Sequence, residues 1–137
     1  MLSMPTNSAS IENYLEAIAN LTDANGVAQV AAIAQALGVK MPSVTVALKA
    51  LARKGYVTYT AYHPVRLTPK GSEVARGIAR RHHVLKRFLN EVLGLTLKHA
   101  DSLACLLEHA FDDVALKRLD AFMRTFDAGA NDAKAEK

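Results

Sequence analysis

The chain has 137 residues, half of them apolar, with one cysteine, a formal charge of +4 and a pI near 9.3. That length fits one ordinary domain, or a small DNA-binding module that shares its core with an oligomerisation element, and the moderately basic charge suits a polyanionic partner. A lone cysteine excludes an intramolecular disulfide, MLSMPTNSAS lacks the basic-then-apolar order of a signal peptide, and no apolar run reaches membrane-spanning length; the expectation is a cytoplasmic protein with no membrane partner.

In chain order, Ser8 or Ser10 can cap a first helix, SIENYLEAIANLTD, with Ile11, Tyr14, Leu15, Ile18 and Leu21 as its apolar stripe, and Asn25-Gly26 ends it. A second helix runs from about Val30 to Leu37, and Gly38-Val39 makes the turn into a third. That one starts near Pro42 and runs to about Lys54, with Val44, Leu48 and Leu51 at core spacing. After Gly55 the period changes to about two. Tyr56 to Thr60 and Val65 to Thr68 read as a hairpin around Ala61 to Pro64. Thr68 then caps a long helix that has Pro69 in its first turn and continues to Gly94. Two more helices follow, near Thr96 to Phe111 and Asp113 to Phe126, and the small polar residues after Phe126 suit a frayed tail.

Three helices and a short hairpin are the order of a winged helix-turn-helix, in which the helix after the turn enters the DNA major groove. The fold class expected is therefore mainly α: a winged helix-turn-helix (1–70), a helical metal-binding and dimerisation domain (71–128) and a flexible tail (129–137). At the groove would stand Lys40, Pro42, Ser43, Thr45, Val46 and Lys49, with Arg53 further along and Arg66 and His63 near the hairpin tip. Ser and Thr hydroxyls can bond bases and phosphates, and Lys40 supplies sequence-independent attraction. A winged-helix protein-interaction domain has the same element order, and His63 is equally at home as a solvated turn residue.

The stretch ACLLEHAF (104–111) carries Cys105, Glu108 and His109 at i, i+3 and i+4, so three metal-ligand types share one helix face. A small buried cysteine and a satisfied core histidine would produce the same pattern. Leu85, Phe88, Leu89, Val92 and Leu93, then Leu103, Leu106 and Leu107, then Val114, Leu116, Leu119, Phe122 and Met123, are more apolar surface than three helices can hide among themselves. A symmetric homodimer is the natural use for it.

Taken together, SIENYLEAI, GVKMPSVTVALKAL, GYVTY, VRLTPKG, RRHHVLKRFL and ACLLEH, in that order and over about Ser8 to Phe126, resemble the DtxR/MntR family of metal-dependent repressors. The resemblance implies a regulatory metal held between the first helix, the long linking helix and the helix after it. Its ligand positions fall on Asn13, Glu16, His82, Cys105, Glu108 and His109. The metal would tie the DNA-binding module to the dimerisation helices and so set the spacing of two recognition helices on a palindromic double-stranded DNA operator. The short, two-part architecture, without the SH3-like domain of longer members, is expected.

The chain departs from the family pattern at two points. Asn13 offers only a neutral amide oxygen, which leaves Glu16 to take over, and Lys86 stands where iron-type members place a carboxylate for a second ion. One metal site per subunit is expected. Cys105 takes a position that manganese-type members fill with Glu; a thiolate favours Fe(II) over Mn(II), with Zn(II) also suited, so iron is the first choice. His83 points about 100° away from His82 around the helix and reads as a surface or interface residue, and Asp101 reads as a helix cap that could also reach a metal. Ranked behind the repressor stand a MarR-like regulator with a decayed metal site and, lower, a metal hydrolase with Glu108 as base. An enzyme is not expected, because no nucleophile motif or second carboxylate pair accompanies the triplet.

Overall fold

The first helix, α1 (Thr6–Leu21), buries Leu15 and Ile18 from the stripe read in the sequence. It begins ahead of both serines, so neither Ser8 nor Ser10 is its cap: no Gly or Pro lies between Thr6 and Ser10 to stop the helix extending backwards. The computed structural model of the chain describes residues 6–135, which form two compact units divided between Ile78 and Ala79.

In the first unit α2 (Val30–Leu37) ends at Gly38, which adopts φ +66° and returns its N–H to the Ala34 and Gln35 carbonyls. Only a residue without Cβ takes that left-handed turn at no cost. It leads into α3 (Met41–Arg53), which has Pro42 in its first turn and meets α2 at 108°, within the range of a helix-turn-helix. Leu15, Ile18, Ile33, Val44, Leu48, Leu51, Val57 and Val65 form one buried cluster. Each large aliphatic side chain among them contributes about 1.5–3 kcal/mol by leaving water.

The wing is shorter than the sequence suggests. Strands β1 (Val57–Thr58) and β2 (Arg66–Leu67) pair antiparallel with Val57 opposite Leu67, and Val65 pairs instead with Ala28 through two backbone hydrogen bonds of 2.8 and 2.9 Å. Diverting Val65 to Ala28 buries it completely and frees Tyr59 to Pro64 as a loop. Thr68 then caps α4 (Pro69–Arg87): its Oγ1 accepts from the Gly71 N–H at 3.1 Å and donates to the Gly55 carbonyl at 2.6 Å. A Cβ at Gly71 would collide with the Tyr56 carbonyl, so α4 passes the wing only because that residue is glycine.

The second unit contains the remainder of α4, a π-helical turn (Phe88–Val92), α5 (Leu97–Leu107) and α6 (Asp113–Ala135). Thr96 caps α5 by accepting from the His99 N–H, and Asp112 caps α6 by accepting from the Ala115 N–H at 2.7 Å. Leu85 and Leu89 pack with Ala100 and Ala104, while Val84 packs with Leu116 and Met123. Phe88 meets Phe122 edge to face at 6.1 Å. Two expectations are corrected in this unit. Helix α6 runs on to Ala135, through the segment read as a frayed tail: its alanines favour helix, and Asp127 is tied to Arg87 at 2.6 Å. Asp101 is not a cap, since Thr96 fills that role one turn earlier.

Candidate metal centre and nucleic-acid face

His82 on α4 faces Cys105 and Glu108 at the end of α5. Helical spacing brings Asp101, Cys105 and Glu108 (i, i+4, i+7) onto one face of α5, and His82 and Lys86 (i, i+4) onto one face of α4. The ring Nδ1 lies 2.8 Å from Glu108 Oε2 and 3.7 Å from Cys105 Sγ, and Nε2 lies 2.9 Å from Asp101 Oδ1. One donor atom from each of His82, Cys105 and Glu108 falls within 4.8 Å of the other two. Glu108 is 1% exposed and is the one buried charged side chain among the described residues. Its other oxygen, Oε1, is 3.5 Å from His109 Nε2.

The electrostatics follow from this packing. Burial pulls the His82 pKa down and is the largest single effect, but hydrogen bonds to Asp101 and Glu108, with their charges, outweigh it and raise the pKa overall. Hydrogen bonds from His82 and then from Lys86, whose Nζ is 3.3 Å away, hold the Asp101 carboxyl below its ordinary range. A ring nitrogen, a thiol and a buried carboxylate within 4.8 Å of one another are a donor set that suits a divalent transition metal. His82, Cys105 and Glu108 are the residues that would hold such an ion, which would supply a positive charge between α4 and α5.

Of the six candidate ligands, His82, Cys105 and Glu108 come together where α4 faces the end of α5, and His109 follows in the next turn with its Nε2 3.5 Å from Glu108 Oε1. Asn13 and Glu16 belong to the first unit, on α1, Asn13 exposed and Glu16 half-buried. Cys105 is exposed, not a buried core residue. His83 is exposed as well, in keeping with its place on another side of α4. Asp101, expected first as a cap and second as a residue within reach of a metal, belongs to this cluster through His82; its position four residues before Cys105 is the signal for that place.

On the first unit, Lys40, Pro42, Ser43, Val46 and Lys49 are exposed along the start and outer face of α3, and Thr45, half-buried, donates to the Met41 carbonyl at 3.1 Å. A cleft of about 470 Å³ separates α3 from the wing loop, with Thr45 and Lys49 on one wall and Tyr59, Tyr62 and His63 on the other. Arg66 is exposed, and its Nη2 donates to the Asn25 carbonyl at 3.0 Å. Tyr62, which the sequence did not single out, stands at the wing tip fully exposed with φ +68°, the sole non-glycine among the described residues with positive φ.

Residues 7–65 match the N-terminal DNA-binding domain of the iron-dependent repressors, and residues 68–129 match their metal-binding and dimerisation domain. The chain belongs to the iron-dependent repressor family of metal-dependent DNA-binding transcriptional regulators. It is 43% identical over 120 residues to an uncharacterized HTH-type transcriptional regulator of Methanocaldococcus jannaschii, covering 87% of this chain and 96% of that one. It is 40% identical over 92 residues to the HTH-type transcriptional regulator MntR of Oceanobacillus iheyensis, covering 67% of this chain and 60% of MntR. The solved manganese regulator SloR superposes with a TM-score of 0.71 at 30% identity, over 83% of this chain and 53% of SloR. The chain thus spans only part of the length of MntR and SloR. The match of both halves to the iron-dependent repressors sets aside the MarR-like alternative. The family consists of transcriptional regulators, and among the described residues no single helix is long and apolar enough to cross a membrane.

Proposed function

We propose that the protein is a cytoplasmic, metal-activated repressor of metal-homeostasis genes that binds a palindromic operator as a homodimer, with one regulatory ion per subunit. The observation that carries this reading is the convergence of His82, Cys105 and Glu108 from two helices to within 4.8 Å in a member of the iron-dependent repressors. His109 joins them as a further donor. Asn13 and Glu16 stay in the ligand set on the strength of the sequence resemblance. The thiol of Cys105 supports Fe(II) as the physiological ion ahead of Mn(II) or Zn(II), because manganese prefers an all-oxygen and nitrogen set. Exposed Leu93, Leu97, Leu106, Val114 and Phe122 supply apolar surface for a dimer interface. Lys40, Pro42, Ser43, Thr45, Val46, Lys49 and Arg66 form the DNA-contacting set.

The decisive experiment selects a duplex from a random pool and measures its affinity with and without Fe(II) under anaerobic conditions, Mn(II) or Zn(II), for the natural chain and for His82→Ala. Metal should tighten binding by the natural chain about 5–150-fold, the usual span of an allosteric coupling, and leave His82→Ala unchanged. Affinity indifferent to every metal would end the metal-switch reading.

A further inference from the structure

We propose that Asp101 is a positioning residue for the metal centre: its carboxylate fixes the His82 ring so that Nδ1, and not Nε2, is the nitrogen offered to the ion. The proposal rests on the reading of His82, Cys105 and Glu108 as that centre. An imidazole has two nitrogens, and the one that can bind a cation is set by the hydrogen bond that the other one makes.

In this chain the two sides of the ring differ sharply. At Nδ1 a buried carboxylate oxygen stands at 2.8 Å and a sulfur at 3.7 Å. At Nε2 stands a single oxygen, Asp101 Oδ1 at 2.9 Å, and the same oxygen is 3.3 Å from the Lys86 ammonium. A cation approaching Nε2 would meet an acceptor already shared by an ammonium, with like charge beside it. A cation approaching Nδ1 meets Glu108 and the thiol. Exposure points the same way, since Glu108 is 1% exposed while the Asp101 and Lys86 side chains are 49% and 37% exposed. The Nε2 side is therefore solvated and charge-neutralised by Lys86, whereas the Nδ1 side offers the buried Glu108 carboxylate together with the solvent-exposed Cys105 thiol.

Taken by itself, the Lys86–Asp101 pair is an exposed ion pair of the kind that contributes little to stability. Its part in the site comes from geometry. The Asp101 oxygen that Lys86 holds is the one that receives the His82 Nε2–H, and the ring is carried on α4 while the oxygen is carried on α5. Outer carboxylates that orient a ligand histidine in this way are worth about 10–100-fold in metal affinity.

The test is Co(II) titration of the full chain in competition with a chromophoric chelator, on the natural chain, Asp101→Asn and Asp101→Ala, with circular dichroism to confirm that each folds. Asp101→Ala should bind Co(II) about 10–100-fold more weakly, and keep the sulfur-to-cobalt charge-transfer band of the natural chain, because the atoms around the ion are unchanged. Asp101→Asn, which retains an acceptor oxygen, should fall between the two. Equal affinity in all three would overturn the role of Asp101 and leave the metal centre standing. An altered band would overturn it as well, by making Asp101 a ligand. No Co(II) binding by the natural chain would overturn the centre itself and the proposal with it. A second readout needs no metal. Ring ¹⁵N shifts of neutral His82 in the metal-free protein should report the Nε2–H tautomer in the natural chain and a shift toward Nδ1–H, facing Glu108, in Asp101→Ala, and the same tautomer in both would refute the proposal.

Discussion

Replacing Glu108 by Gln isolates the electrostatics of the candidate site in the absence of metal. The side chain is 1% exposed and lies 2.8 Å from His82 Nδ1. Glutamine keeps its volume and one acceptor oxygen but removes the charge, so what disappears is the part of the interaction that depends on a protonated His82. A hydrogen bond between charged partners is worth about 1.5–3 kcal/mol, against about 1 kcal/mol for a neutral one. Two effects reduce the difference: removing a buried anion recovers its desolvation cost, and Asp101 still holds the other ring nitrogen at 2.9 Å. The expected net loss is about 1 kcal/mol when His82 is charged. Its pH dependence has a definite sign. The folded-state pKa of His82 is raised, so its stabilising contribution is complete below the unfolded value of about 6.5 and is lost as pH rises through the folded value. Glu108→Gln takes away one of the causes of that rise. Urea unfolding with chelator present should therefore show a penalty at about pH 6 that shrinks toward about pH 9, as the ring gives up its proton. The same penalty at both pH values would refute the ionic account.

Three further perturbations separate the parts of the molecule. Gly71→Ala should cost about 3 kcal/mol, the upper end of overpacking, because its Cβ would meet the Tyr56 carbonyl, whereas Gly77→Ala, with nothing within 4 Å, should stabilise α4; equal melting temperatures would refute the close approach. Cys105→Glu should move the ranking of metals toward manganese in competition titrations, and an unaltered ranking would remove the thiol from the donor set. Leu106→Asp, at a side chain 75% exposed on α5, should shift sedimentation toward monomer, and unchanged association would place the dimer interface elsewhere.

The parts of the chain that could be read from sequence are those where local chemistry decides the outcome. Helix α2 has the expected bounds because Gly38 ends it, and Thr68-Pro69 opens α4 as capping chemistry requires. The parts that could not be read depend on partners remote in sequence. Val65 leaves its hairpin for Ala28, Asp127 finds Arg87 and prolongs α6, and the turn at Phe88–Val92 widens to a π-helix. At the site, the i, i+3, i+4 pattern pointed to Cys105, Glu108 and His109 as one helix face, whereas α5 stops at Leu107 and His109 lies in the turn after it. That His82 is gripped from both sides appears only once α4 and α5 are folded together, because Asp101 and Glu108 reach it across 19 and 26 residues of chain.

The wing loop also gives the molecule an optical handle. There is no tryptophan, so its near-ultraviolet emission comes from four tyrosines. Tyr14, Tyr56 and Tyr59 are partly buried, and Lys70 lies over the Tyr56 ring at 4.5 Å. Tyr62 alone stands wholly in water, at the edge of the cleft beside α3. A collisional quencher reaches that ring first, and a duplex lying across the cleft would screen it, so unlabelled protein can report occupancy of its own wing.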